Sequence, residues 1–289
     1  MFPDRLIVDL AAPITRGLDR FVERFGDSFR AFADAVLWGL LQIEGLLRGA
    51  PWWMVIAGVA LLAFLATRRV TAALGLSLTM FLMGVLGLWD PAMQSLALMI
   101  AALIVAVVVG LPSGIALAHR DRLRAIALPV LDAMQTLPSF VYLVPALMLF
   151  GLGKVPALIA TVIYAIPPIV RLTDLGIRSV DPEAVEAAVA FGATPTQRLL
   201  WVELPLALPS IMVGLNQATM MALSMVVVAA MIGARGLGEQ VLVGIQRLDT
   251  GRALVAGAAI VALAIVLDRL TQAMVRRLEI RQPRSGPQE

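Results

Sequence analysis

Apolar runs of membrane-spanning length alternate with short arginine-bearing segments from residue 51 almost to the end of the chain. A helix needs about 20 apolar residues to cross the roughly 30 Å hydrocarbon layer of a bilayer. By that measure the pattern predicts spans at 51–67, 70–89, 93–118, 128–150, 155–170, 206–232 and 253–274, about seven in all. Pro138 and Pro145 are expected to break the fourth span, and Pro167 and Pro168 the fifth, because proline removes an amide donor and clashes with the preceding turn. "WDP" at 89–91 is expected to end the second. Ahead of the first span, Phe29, Phe32, Ala33, Val36, Leu37, Leu40 and Leu41 recur at helical spacing while Arg30, Asp34 and Gln42 take the other face. That spacing predicts an amphipathic helix lying on the membrane or on neighbouring helices.

The composition, 60% hydrophobic against 15% charged, fits an all-α, polytopic integral membrane protein and not a soluble domain. A net charge of +3 with a pI near 10.1 would suggest nucleic acid in a soluble chain. Here 22 of the 23 basic residues are arginines, many beside apolar runs, so the charge reads as topology and no nucleic-acid partner is expected. Arg68, Arg69, Arg120, Arg122 and Arg124 in the first and third loops, and Arg276, Arg277, Arg281 and Arg284 in the tail, mark the cytoplasmic side. The loops at Asp90 and Lys154 then lie outside, as does the N-terminus. The first 50 residues carry scattered charges and no uninterrupted apolar core, so no cleaved signal peptide is expected. The organisation that follows is an N-terminal extramembrane segment with the amphipathic helix (1–50), two peripheral spans (51–89), a core (90–275) containing a polar loop at 181–205, and a cytoplasmic tail (276–289).

The polar loop, "DPEAVEAAVAFGATPTQRLLWVELP", reads as two short helices joined by a tight turn. Asp181 suits an N-cap, Pro182 the first helical position, and Glu183 and Glu186 the positive end of the helix dipole. Gly192 can take the left-handed conformation that closes the first helix. Thr194, Pro195 and Gln197 then form a capping-box pattern for the second, which Pro205 is expected to limit. Small Ala187, Ala188 and Ala190 leave a surface into which another protein can fit; read from the residues alone, a solvated loop with no partner is an equal alternative.

The pattern Glu186-Ala187-Ala188, Gly192, then Val202, Leu204 and Pro205 resembles the EAA loop of permease subunits in binding-protein-dependent ABC importers, with Val202 where isoleucine is commoner. In that family the loop docks in a cleft of the cytoplasmic ATPase, so the resemblance implies that Glu186, Ala187, Ala188 and Gly192 couple this chain to an ATPase. The segments "LDAMQTLPSFVYLVPALMLFGLGKVP", "IPPIVRLTDLGIRSV" and "NQATMMALSMVVVAAMIGARGLGEQVLVGIQRLD" are similar to the glycine betaine/proline betaine (quaternary ammonium) permeases within it. Implied with the resemblance are the type I ABC importer permease (MetI-like) fold, a bacterial inner-membrane location and a set of partners. Those partners are a second copy of the permease, a cytoplasmic ABC ATPase dimer that holds ATP and Mg, an extracytoplasmic substrate-binding protein, and membrane lipid.

The chain's own chemistry agrees with a subunit that borrows its energy. The only lysine, Lys154, sits in "GLGKVP", which lacks P-loop spacing and the Ser or Thr that would hold magnesium. Without cysteine, and with His119 as the only histidine, no thiolate nucleophile or zinc site can be built, and no cofactor is expected on this chain. Asp132, Arg171 and Asp268 fall near span ends and read as interfacial charges, which weakens an ion-coupled secondary transporter or channel, the alternative kept open here. A path for a small cation is expected from Gln135, Thr136, Ser139, Tyr142, Tyr164, Asn216 and Gln217, with Thr161 and Ser224 as further candidates. Two tyrosines are too few for a full aromatic cage around a quaternary ammonium.

Overall fold

The computed structural model describes the backbone of residues 11–281 and, residue 28 apart, the side chains of 26–273. Side chains of Arg276, Arg277, Arg281 and Arg284 lie outside that range. Among the described residues the secondary structure is helical throughout: α1 (Ala11–Gly49), α2 (Trp52–Thr67), α3 (Val70–Val85), α4 (Trp89–Ala118), α5 (Asp121–Thr136), α6 (Leu143–Phe150), α7 (Lys154–Arg178), α8 (Pro182–Ala190), α9 (Pro195–Arg198), α10 (Leu204–Ala230), α11 (Leu237–Gln246) and α12 (Thr250–Arg281). Four are long and apolar enough to cross a membrane: α4, α7, the α9–α10 rod and α12. α2, bent by 101° from α1, the bent pair of α5 with α6, and the shorter apolar α3 bring the architecture to the seven spans expected.

Several boundaries depart from the sequence expectation, each for a local reason. "WDP" opens α4 instead of closing α3, since Pro91 falls in a first turn, where its missing amide would have had no partner anyway. The fourth span is two helices, α5 and then α6, turned 109° from each other. Pro138 alone makes that break, with a 3-10 turn at Ser139–Tyr142, while Pro145 sits harmlessly in the first turn of α6. Pro167 and Pro168 break nothing, because α7 runs through both to Arg178. They are buried between neighbours, where packing holds a helix that has lost two of its own hydrogen bonds. The amphipathic stretch at 29–41 is part of the longer α1, whose Val36, Leu40, Ile43 and Leu47 pack on the core.

At the centre, α7 lies along α4 on one side and α10 on the other. The contact layer is built from small residues, with Ala97, Ala101, Ala102, Ala157, Ala160 and Ala229 all buried. Lipid is as apolar as these side chains, so close van der Waals approach, not burial from water, holds such helices together. Gly114 is the tightest point of the α4–α7 crossing: a Cβ there would stand 2.5 Å from Thr173 Cβ and 2.7 Å from the Val170 carbonyl oxygen. Gly114→Ala is therefore expected to destabilise the protein by about 1–3 kcal/mol, the usual range for overpacking, read as a lowered unfolding midpoint in detergent. Gly257→Ala, where a Cβ meets nothing within 4 Å, is the control that leaves it unchanged.

Candidate functional site

The polar loop folds as its capping residues require. Asp181 Oδ1 accepts a hydrogen bond from the Glu183 amide at 2.9 Å and starts α8. Its end is a full Schellman closure: Gly192 has φ +82°, its amide donates to Val189 O at 2.9 Å, and the Ala193 amide reaches back to Ala188 O at 3.0 Å. Thr194 and Gln197 exchange the capping box, with Thr194 N donating to Gln197 Oε1 (2.8 Å) and Gln197 N to Thr194 Oγ1 (3.3 Å). Pro205 does not stop the second helix. A π turn at Leu199–Glu203, in which Leu204 N donates to Leu199 O, carries α9 straight into α10. Because the ladder has already shifted at that turn, a proline just beyond it continues the rod.

No residue of α8 is buried. Glu186, Ala187 and Gly192 are exposed and Ala188 is half-buried; Phe191 is 94% exposed and Trp201 73%. The four residues expected to couple the chain thus stand together on α8 and its closing turn, beside exposed Val189 and Phe191.

The base of this projection is fixed by two charge networks that the sequence reading did not foresee. Glu203 is buried, with Oε2 2.9 Å from His119 Nε2. Its Oε1 lies 2.8 Å from Arg198 Nε, but off the line of a hydrogen bond, so that contact is an ion pair only. His119 Nδ1 lies 2.9 Å from Ile115 O, which can only accept. In the second network Asp174, 1% exposed, accepts from Arg124 Nε (2.9 Å) and Arg178 Nε (3.0 Å). Arg178 goes on to donate to Leu117 O (3.0 Å) and Asp121 (2.6 Å). Together they bind the loop-side ends of α4, α5, α7 and α10 to one another. At the opposite end of the bundle, buried Glu44 of α1 accepts from Lys154 (2.5 Å), the first residue of α7, and Arg48 donates to Asp90 of α4 (3.2 Å). That bond to Asp90 raises the Arg48 pKa above the ordinary guanidinium value, with the charges of Asp90 and Glu44 adding to it.

The expected path residues divide. Gln135, Thr136, Ser139 and Tyr142 gather at the α5–α6 break, where the Tyr142 hydroxyl donates to Met134 O and its ring lies 6.0 Å from that of Tyr164 on α7. The turn at 139–142 also touches α10, whose exposed stripe carries Gln217 and Ser224. Asn216 points elsewhere, to α12, donating to Asp268 (3.4 Å) and accepting from Thr271. Thr161 is fully buried and bonded to Ala157 O within its own helix. Of the charges read as interfacial, Asp132 and Arg171 pair across α5 and α7, and Asp268 is held by Gln272.

Residues 106–280 match the family described as "Binding-protein-dependent transport system inner membrane component". The chain is 47% identical over 276 residues to the glycine betaine/proline betaine transport system permease protein ProW of Escherichia coli (strain K12), covering 94% of this chain and 77% of that one. To the glycine betaine transport system permease protein OpuAB of Bacillus subtilis (strain 168) it is 44% identical over 265 residues, covering 90% and 93%. Among solved structures, one described as inward-facing conformations of the MetNI methionine ABC transporter superposes with a TM-score of 0.57 at 22% identity, covering 69% of this chain and 97% of that one. At that identity the likeness shows the fold alone. The chain belongs to the inner membrane components of binding-protein-dependent transport systems and is a permease subunit of an ABC importer, not an enzyme.

Proposed function

We propose that this permease moves glycine betaine or a related quaternary ammonium osmolyte (proline betaine, choline, carnitine) into the cytoplasm of a bacterium, driven by a separate ATPase that grips the α8–α9 projection. The substrate reading rests on the names of the two relatives given above. The exposed, doubly capped projection carries the coupling reading: it is rigid, apolar at its tip, and anchored through Glu203 and Asp174 to the ends of α4, α7 and α10. A rigid lever needs both properties, a tip that another protein can hold and a base that moves the spans.

One chain carries one such projection, so two copies engage the two subunits of an ATPase dimer, and an external binding protein delivers substrate. ATP and Mg belong to the ATPase. Binding of ATP closes the ATPases, draws the two projections together and turns the path outward; hydrolysis resets it. The arginine distribution supports a cytoplasmic projection and C-terminus with α1 and the N-terminus outside, in a bacterial inner membrane. In this arrangement 1–50 is the extramembrane segment, 51–89 the peripheral pair, 90–275 the core and 276–289 the tail. Gln135, Thr136, Ser139, Tyr142, Tyr164 and Gln217 line the substrate path, whereas the bonds of Asn216 to α12 suit a structural tie better.

Reconstitution tests this directly. Proteoliposomes holding the permease, its ATPase and its binding protein are expected to accumulate labelled glycine betaine only when ATP reaches the ATPase, with excess unlabelled quaternary amine competing. Accumulation by the permease alone under a sodium or proton gradient would establish the secondary-transporter reading instead.

A further inference from the structure

A cavity of about 760 Å³ opens between the α2–α3 hairpin and α12, away from both charge networks and from the substrate path. Three arginines line it: Arg68 and Arg69 from the turn between α2 and α3, and Arg269 from α12. All three are exposed, and among the described residues none of their guanidiniums forms a hydrogen bond or an ion pair. Asp268, the nearest carboxylate in sequence, is occupied by Gln272 and Asn216. At this end of the bundle Arg124, Arg171, Arg178 and Arg198 each face a carboxylate, whereas exposed Arg120 and Arg122 do not. Arg68, Arg69 and Arg269 differ from those two in lining one cavity together.

The turn is built to present them. Thr67 Oγ1 donates to Ala63 O (2.7 Å) and accepts from the Arg69 amide (3.2 Å). Arg68 takes a left-handed φ of +55°, a conformation in which glycine is the usual helix-closing residue. Past the arginines the walls become apolar, with Leu76 on α3 and Ile265 on α12, and Gly75 leaves the middle open, since a Cβ there would meet nothing within 4 Å. Ile265, which lines the trough, is 47% exposed, so the trough opens at the apolar surface of the bundle. A cationic mouth above an apolar trough open to lipid complements one class of molecule: an amphiphile with an anionic head.

We propose that this cavity binds an anionic phospholipid, its phosphate held by Arg68, Arg69 and Arg269 and one acyl chain laid along Gly75 and Ile265. The lipid ties the peripheral α2–α3 hairpin to α12, which itself packs on α10. The site does not depend on which solute is carried, and its test reads lipid, not transport.

The full chain purified in a mild detergent, given equal phosphatidylglycerol and phosphatidylcholine and weighed by native mass spectrometry, is expected to retain the anionic lipid about tenfold over the zwitterionic one. The triple variant R68Q/R69Q/R269Q is expected to lose that preference, and Gly75→Leu, which fills the trough, to lower retention of both lipids. If the triple variant does not run as a single species on gel filtration, R269Q alone is expected to reduce the preference. Equal retention of the two lipids by the wild type, or an undiminished preference in the arginine variants, overturns the proposal. So does retention of glycerol 3-phosphate equal to that of phosphatidylglycerol, which would make the site one for a free phosphate.

Discussion

Replacing Gly192 by valine is expected to reduce ATP-dependent uptake at least tenfold while the protein still reaches the membrane. The loss does not come from crowding, because a Cβ at Gly192 meets nothing within 4 Å. It comes from the backbone: at φ +82° a β-branched residue costs about 1–2 kcal/mol and favours another conformation. Leaving that conformation breaks the Ala193-to-Ala188 and Gly192-to-Val189 bonds, and with them the angle between α8 and α9. The lever then bends at its tip without loosening its base. Gly192→Asn, which tolerates left-handed φ, is expected to keep most of the uptake, and Glu186→Trp, on the exposed face of α8, to uncouple without disturbing the turn. Uptake and ATP hydrolysis measured side by side in proteoliposomes check all three; full uptake by Gly192→Val would remove the turn from the mechanism.

Asp174→Ala is expected to be the most destabilising single change at the base of the lever. The carboxylate is buried and shared by Arg124 and Arg178, so removing it takes from Arg124 its carboxylate partner and from Arg178 one of two. Breaking a buried pair in this way costs 3–5 kcal/mol; about 3 kcal/mol is expected here, because both arginine side chains keep roughly a third of their exposure. For a chain of this size that corresponds to a fall of about 6 °C or more in the unfolding midpoint. Asp174→Asn, which keeps an acceptor for one arginine, is expected to fall between the two. An unchanged midpoint for Asp174→Ala in a thermal melt would show that the network contributes nothing to stability.

What the sequence discloses here follows the range of the forces involved. The two capped helices at 181–198 rest on contacts between residues no more than five apart, such as Asp181 with Glu183 or Thr194 with Gln197, so their chemistry can be read along the chain. Span positions are also legible, being set by composition. Proline breaks are not, because the outcome depends on what surrounds the proline: Pro138 ends a helix with little packed on it, while Pro167 and Pro168 sit buried between α4 and α10. The ties at the base are farther out of reach. His119 and Glu203 are 84 residues apart and Arg124 and Asp174 are 50 apart. One signal was present: Asp174 and Arg178, four apart in a mostly apolar run, point to a charge that must find partners inside the bundle. The candidate path is legible only in part, since neutral polar residues serve helix packing as readily as a water-filled passage, and Asn216 and Thr161 turned out to do the former.

The central claim, that the α8–α9 projection is the handle by which an ATPase drives this permease, is open to a direct chemical measurement because the chain has no cysteine. A single thiol placed at Val189, which is 53% exposed at the end of α8, is expected to be blocked only by reagents that reach the cytoplasmic side. In the assembled transporter it is expected to cross-link to the ATPase, with the yield changing when ATP is added. Labelling of that thiol by an impermeant reagent from outside the cell, or cross-linking to the substrate-binding protein in place of the ATPase, would contradict the account.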